Sequence, residues 1–433
     1  MRKVDVAELK VGMYVSELDR PWRDTPFLFQ GFEIRDEDEI KDLQRLCKFV
    51  YIIDPDEYVS GKANLRSRTP QPTLRRVQDD PGLSRRERYE FDLLRIANQP
   101  GAPPAYEDLT TLEEEVVTIK QDIERTRELI YAIMEDVRLG KNIDAIQAKR
   151  TVAALTESVI RNPDALSCFI QLKRKDAYTA QHSMRVCILA LAFGRHLGFN
   201  RDQLQTLGIG ALLHDIGKMR VPNEILNKPA RLTDYEFNLM KTHVPRGVEI
   251  LNASSGIPPA AIEVARCHHE RYSGGGYVSG LKGEAVGLFG SMGGIVDCYD
   301  AITSDRAYHD GMSTHQALRK MYEWRNRDFH PVLVEQFIQC MGIYPIGSIV
   351  SLNTGDVGVV VTMNRVRRLK PRVVLVLKPD ATPYPTPQTV DLMTHKTRGG
   401  EPCEIEHVLE PGIHGINPTQ YLPLPASAFA ALQ

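Results

Sequence analysis

The chain has 433 residues, 42% of them hydrophobic and 25% charged, and a formal net charge of −2. It exceeds the roughly 250 to 300 residues at which a single hydrophobic core stops growing, so two or three domains are expected. The near-neutral balance excludes global steering toward nucleic acid or an anionic membrane; no DNA partner is expected, and any anion site must be local.

No apolar run with a cleavage site opens the chain and no stretch of 18 apolar residues follows, which predicts a cytoplasmic protein without a membrane segment. Cys47, Cys168, Cys187, Cys267, Cys298, Cys340 and Cys403 show no CxxC spacing, which suits reduced thiols better than a disulfide framework. Residues 1–60 mix short apolar runs such as "KFVYIIDP" with charged helical stretches such as "RDEDEIKDLQRLC", predicting a small α+β module with a regulatory role. Residues 61–108 are rich in Pro and Arg and lack periodicity, as a linker would. Over 109–144, Leu112, Val116, Ile119, Ile123, Ile130, Ile133 and Val137 keep a 4-3-4-3 spacing that only Thr126 interrupts. This heptad seam serves either a coiled coil in a homodimer or a long amphipathic helix packed on the next domain. Helical patterns dominate 145–342, among them a capping box in "LTDYEFNLMKTH", Thr233 with Glu236. From 343 to 433 the text turns β-rich, with a turn at Asn353 to Asp356 and a Pro-rich loop from Pro379 to Pro387.

The helical region carries the chemistry. His182 opens the apolar stretch "HSMRVCILALAFGRHLGF", and His214-Asp215 close "LGIGALLHDIGK". His243 ends the capped helix, His268-His269 begin "HHERYSGGGYVSG", and Asp297 lies in "GGIVDCYDAITSDRAY". Burying imidazoles and carboxylates at the ends of such apolar runs is costly unless something pairs with them, and a divalent metal in a bundle core would do so. Lys218, three residues after Asp215, shares its face if the helix continues and could neutralise a phosphate oxygen; Asp300, three after Asp297, could orient a ligand or a water.

In order and spacing, "YTAQHSMRV", "LLHDIGK", "THVPRGVEIL", "HHERYSGGGY", "GLKGE" and "VDCYDAITSDRAY" resemble the HD-GYP family, a branch of the HD phosphohydrolase superfamily, over Ala177 to Met312. The N-terminal "LKVGMYVSELDRPW…FQGFEI" is similar to a small uncharacterised domain found ahead of such modules, and the β-rich tail is similar to that subgroup's end. The resemblance implies a multidomain chain around an all-helical core that binds metal ions; many members hydrolyse cyclic di-GMP. It places one ion on His182, His214, Asp215 and Asp297, and a second on Asp215, His243, His268 and His269, with Asp215 bridging. It further implies that Asp215 and Lys218 are catalytic and that Gly275, Gly276, Tyr277 and Arg306 meet the substrate. Mixed imidazole and carboxylate ligation favours Mn or Fe over Ca or Mg.

The chain departs from the family pattern at Ser273, where aspartate or asparagine is usual, and at Val278, where Gly-Tyr-Pro would place a proline. Ala307, His309 and Asp310 replace a Pro-Tyr and basic pair, which predicts weaker contact with a second phosphate. Members with a third metal tend to carry a glutamate at the position of Tyr178, so two ions are expected here. The expected function is a metal-dependent phosphodiesterase hydrolysing cyclic di-GMP to pGpG, GMP or both. The alternatives are a cyclic-dinucleotide sensor docking signalling partners through the glycine-rich loop or N-terminal module, and an HD hydrolase of another nucleotide.

Overall fold

A computed structural model of the chain describes residues 2–19, 32–34, 37–53, 106–171, 178–304, 311–365, 367–410 and 412–424. The chain divides into two units, residues 1–83 and 84–433. The first is the expected α+β module. Strands β1 (Arg2–Asp5), β2 (Tyr14–Leu18), β3 (Phe32–Glu33) and β4 (Phe49–Ile53) form an antiparallel sheet in the order β1-β4-β2-β3, joined by helix α1 (Glu37–Leu46). Val4, Val15, Ile34, Leu43, Val50 and Ile52 form its core. Most of the predicted Pro- and Arg-rich linker lies outside the described residues, which resume at Tyr106.

The second unit opens with α2 (Leu112–Arg138), the heptad helix, begun by a reciprocal capping box between Thr111 and Glu114. Every seam residue is buried, including Thr126, whose hydroxyl satisfies itself by donating to the Asp122 carbonyl at 2.6 Å. The seam is covered by the chain's own helices. Buried Glu115 accepts two hydrogen bonds of 2.8 Å from Arg161 on α3 (Ala145–Arg161), a bidentate pair that fixes α2 against it. Of the two readings the heptads left open, the structure shows the packed amphipathic helix.

There follow α4 (Pro163–Ile170), α5 (Tyr178–His196), α6 (Arg201–Leu213), a 3-10 turn (Ile216–Arg220), α7 (Asn223–Leu226), α8 (Asp234–Lys241), α9 (His243–Ala253), α10 (Pro259–Cys267), α11 (Leu288–Thr303), α12 (Thr314–Glu323) and α13 (Pro331–Met341). α5 and α6 sit at the centre, and Val186, Leu189, Phe193, Leu204, Leu207 and Leu212 are buried, as helices apolar on most sides must be. Phe337 of α13 closes the bundle edge-on against Phe193 at 5.3 Å and Tyr299 at 5.2 Å.

The tail is an antiparallel sheet, β8-β7-β6-β5-β9, of β5 (Ile349–Leu352), β6 (Val357–Thr362), β7 (Arg372–Leu377), β8 (Pro383–Asp391) and β9 (Ile405–Leu409). One expectation is corrected: the Pro-rich stretch is in part strand β8, not a loop. It occupies the sheet edge, where a proline without an N–H forfeits no ladder bond on its open side. Asp164 on α4 accepts from the Met363 N–H at 3.0 Å and from Arg365 at 2.7 Å, tying the sheet to the helical core.

Candidate metal centre

The site starts where α6 stops. His214 ends the apolar run, and the backbone then tightens into the 3-10 turn, putting Asp215 and Lys218 one eclipsed turn apart. The turn lies directly on α9: a Cβ at Gly217 would fall 1.9 Å from the His243 carbonyl oxygen, so only glycine permits the approach. His243 therefore faces Asp215, and it opens α9 instead of closing the capped helix α8, which ends at Lys241. α10 ends at Cys267 and delivers His268 and His269. α11 approaches through Gly294, whose Cβ would meet the His268 carbonyl at 2.9 Å; this closeness brings Asp297, one turn further on, to the histidines.

All four of His182, His214, His243 and His268 are buried, and each uses Nδ1 to donate outward. The acceptors are Asp300 Oδ2 (2.7 Å), the Ala211 carbonyl (2.7 Å), the Met240 carbonyl (2.7 Å) and the Ala265 carbonyl (2.9 Å). A carbonyl can only accept, so Nδ1 of His214, His243 and His268 carries a proton, and all four rings turn Nε2 inward. Those Nε2 atoms converge on Asp215. Its Oδ2 lies 3.5 Å from His182 Nε2 and 3.2 Å from His214 Nε2; its Oδ1 lies 3.4 Å from His243 Nε2 and 3.7 Å from His268 Nε2. Asp297 Oδ1 is 3.0 Å from His182 Nε2 and its Oδ2 4.0 Å from His269 Nδ1.

Two clusters result, His182, His214 and Asp215 on one side and Asp215, His243, His268 and His269 on the other, each with ligand atoms within 4.8 Å of one another. The structure thus brings together every residue proposed from sequence as a ligand, with Asp297 beside the first cluster. Among the described residues, buried His214 Nε2 and Asp215 Oδ1 have no hydrogen-bond partner. Leaving such atoms unpaired costs about 1 to 3 kcal/mol each, and a cation in each cluster would satisfy them. The residues therefore fit divalent metal ions.

The electrostatics agree. Burial opposes the charge on Asp215 and Asp297, but Lys218 and His214 around the one and His182 around the other hold both carboxyls well below the usual range. Burial pushes His243 down to about 3 and holds His269 well below its ordinary value, keeping both neutral. His182 moves up to about 9: burial opposes its charged form, yet the flanking carboxylates of Asp297 and Asp300 outweigh it. That side of the site draws positive charge.

Lys218 contacts Asp215 Oδ2 directly. Asp300 holds more than His182: it accepts from Arg185 Nε at 2.6 Å and Nη2 at 2.9 Å, and the same guanidinium donates to the Ser304 hydroxyl at 3.0 Å. Asp300→Asn is expected to lower metal affinity about 10- to 100-fold by loosening the His182 ring. Titrating the metal-free variant with Mn(II) checks this; an unchanged affinity would remove Asp300 from the site.

In the glycine-rich loop, Tyr277 stacks on His269 with ring centroids 4.5 Å apart. Gly276 packs on its own loop, for a Cβ there would lie 2.4 Å from the Arg271 amide, whereas nothing closer than the Ser273 hydroxyl at 3.7 Å faces Gly275. Sequence reasoning missed Arg185 and also buried Glu270, which closes the loop by accepting from the Ser279 and Leu281 amides at 2.8 and 2.9 Å. Arg306, Ala307, His309 and Asp310 lie outside the described residues, as does the side chain of Tyr178. Among the described residues no helix is long and apolar enough to cross a membrane.

Residues 1–148 match a family described as a domain of unknown function (DUF3391), residues 167–333 an HD domain, and residues 349–398 a KOW domain associated with HD domain. A cyclic di-GMP phosphodiesterase of Pseudomonas aeruginosa is 34% identical over 409 residues, which span 93% of this chain and 93% of that protein. A cyclic di-GMP phosphodiesterase response regulator of Xanthomonas campestris is 31% identical over 50% of this chain and 59% of its own. A 3′3′-cGAMP-specific phosphodiesterase of Vibrio cholerae is 33% identical over 37% of this chain and 31% of its own.

Proposed function

The chain belongs to the HD-GYP family of HD-domain phosphohydrolases, and on that premise we propose that it hydrolyses cyclic di-GMP, yielding linear pGpG, GMP or both. The observation that carries this reading is the convergence of four inward Nε2 atoms on a single shared carboxylate, Asp215. Two divalent ions, Mn or Fe, suit this donor set. When bound, such ions supply a nucleophilic hydroxide at neutral pH and stabilise the attacking and leaving oxygens of an in-line displacement.

The chain's own groups supply the rest. Asp215 spans both clusters, and His182, His214 and Asp297 on one side face His243, His268 and His269 on the other. Lys218 brings an ammonium to the Asp215 carboxylate and would take a non-bridging phosphate oxygen of the substrate. Tyr277 and the open face at Gly275 form the rim toward which a nucleotide extends, and Arg306 is proposed as a further phosphate contact. A hybrid cyclic dinucleotide is the second reading, because a relative named for 3′3′-cGAMP matches this chain as well.

Incubating anaerobically purified protein, loaded with Mn or Fe, with a panel of cyclic dinucleotides and mononucleotides tests the proposal. The expected result is pGpG or GMP from cyclic di-GMP. Binding without product would make the chain a sensor, and turnover of 3′3′-cGAMP alone would move the substrate. Elemental analysis of the loaded protein is expected to give two ions per chain, since Tyr178 offers a neutral phenol where a third ion would need a carboxylate. Three ions would overturn that count. Removing the ions with a chelator is expected to abolish turnover, and re-addition to restore it.

A further inference from the structure

We propose that Phe237, on α8, is a stacking platform for one guanine base of the substrate, with the ammonium of Lys241, one turn on, over its ring. This rests on the cyclic-dinucleotide reading above. α8 is a short helix held firmly at its start: Thr233 and Glu236 form a reciprocal capping box, and Lys228 donates to Glu236 Oε1 at 2.8 Å. On this polar helix Phe237 remains 45% exposed. It does not stand alone. Its ring meets Tyr277 edge-on, with centroids 6.0 Å apart, and Tyr277 in turn lies 4.5 Å over His269.

A row of three rings therefore leads from the second ligand cluster outward: His269 inside, Tyr277 above it, Phe237 at the rim. Lys241 Nζ stands 5.1 Å from the Phe237 centroid. A phosphodiester held at the clusters carries its base away from them, and the ring row offers aromatic faces along one such direction. Base–aromatic stacking tolerates any base because each has a π-face, and a bare phenyl ring adds no hydrogen-bonding demand. The adjacent ammonium suits a ligand whose phosphates are anionic. Tyr277 belongs to the signature loop, whereas Phe237 comes from a separate helix, so the base would be gripped from two elements. Such a contact acts on binding and not on bond cleavage, which makes its kinetic signature specific.

The test uses the full-length, Mn-loaded chain with cyclic di-GMP as the probe. Phe237→Leu keeps an apolar contact with Tyr277 and removes the aromatic face; Phe237→Trp enlarges it. For Phe237→Leu we expect KM to rise about tenfold with kcat within about twofold of the parent and the metal content unchanged, and for Phe237→Trp a KM near or below the parent value. An unchanged KM in Phe237→Leu overturns the platform. So does a fall in kcat accompanied by loss of metal, which would make Phe237 only a prop for the loop. If the parent chain itself neither binds nor hydrolyses any cyclic dinucleotide, the functional reading fails and the platform with it; a parent that turns over and a Leu variant that matches it overturn the platform alone.

Discussion

Asp215→Ala is expected to abolish both metal binding and turnover, the largest effect of any single substitution in the chain. Its two carboxylate oxygens are divided between the clusters, Oδ2 facing His182 and His214 and Oδ1 facing His243 and His268. Alanine removes the one group common to both and takes the carboxylate away from the Lys218 ammonium. Losing about 4 kcal/mol of transition-state stabilisation is about a thousandfold in rate, and the loss of a shared ligand is expected to exceed that. Asp215→Asn separates charge from shape: it keeps the volume and one acceptor oxygen, so it is expected to fold normally while metal content and activity fall together. Retention of both ions with near-parental turnover would show that the ligand assignment is wrong.

Gly217→Ala is expected to be the most damaging change that removes no functional group. The added methyl would lie 1.9 Å from the His243 carbonyl oxygen and 2.5 Å from the Gly247 amide nitrogen, both backbone atoms with no rotamer to yield. Overpacking commonly costs about 1 to 3 kcal/mol, and a clash with backbone on both sides belongs at or above the top of that range. The relief available is to part the 3-10 turn from α9, which draws His243 away from Asp215. Thermal unfolding is expected several degrees lower, and the affinity of the second cluster for Mn(II) to fall more than that of the first. A variant with parental stability and stoichiometry would show that the turn does not depend on this contact.

His182 and His214-Asp215 stand out in the sequence because they border apolar runs, where burial demands a partner, while the grouping of the candidate ligands into two sets followed from the family resemblance. The same signal marks Arg185, three residues after His182 in "HSMRV". The buried seam of α2 followed from periodicity, but a heptad repeat describes a face and not what covers it, so its covering by α3 and its neighbours could not be read. Gly217 and Gly294 were opaque for a different reason: what makes glycine necessary is a backbone from elsewhere in the chain. Strand β8 was read as loop because proline is usually excluded from sheets, and the exception depends on lying at an edge, which is a property of strand order.

The Nδ1 protons of His214, His243 and His268 are pinned by carbonyls of their own helical segments, those of Ala211, Met240 and Ala265. No side-chain substitution elsewhere can release them, since any residue at those three positions supplies the same carbonyl. His182 alone is pinned by another side chain, Asp300, which Arg185 and the rest of α5 and α11 hold in turn. Three of the imidazoles are thus fixed by the main chain, while the basicity of the fourth can be adjusted by substitution. Among these four imidazoles, variation that tunes the centre, whether in evolution or by design, acts on His182 through Asp300 and Arg185.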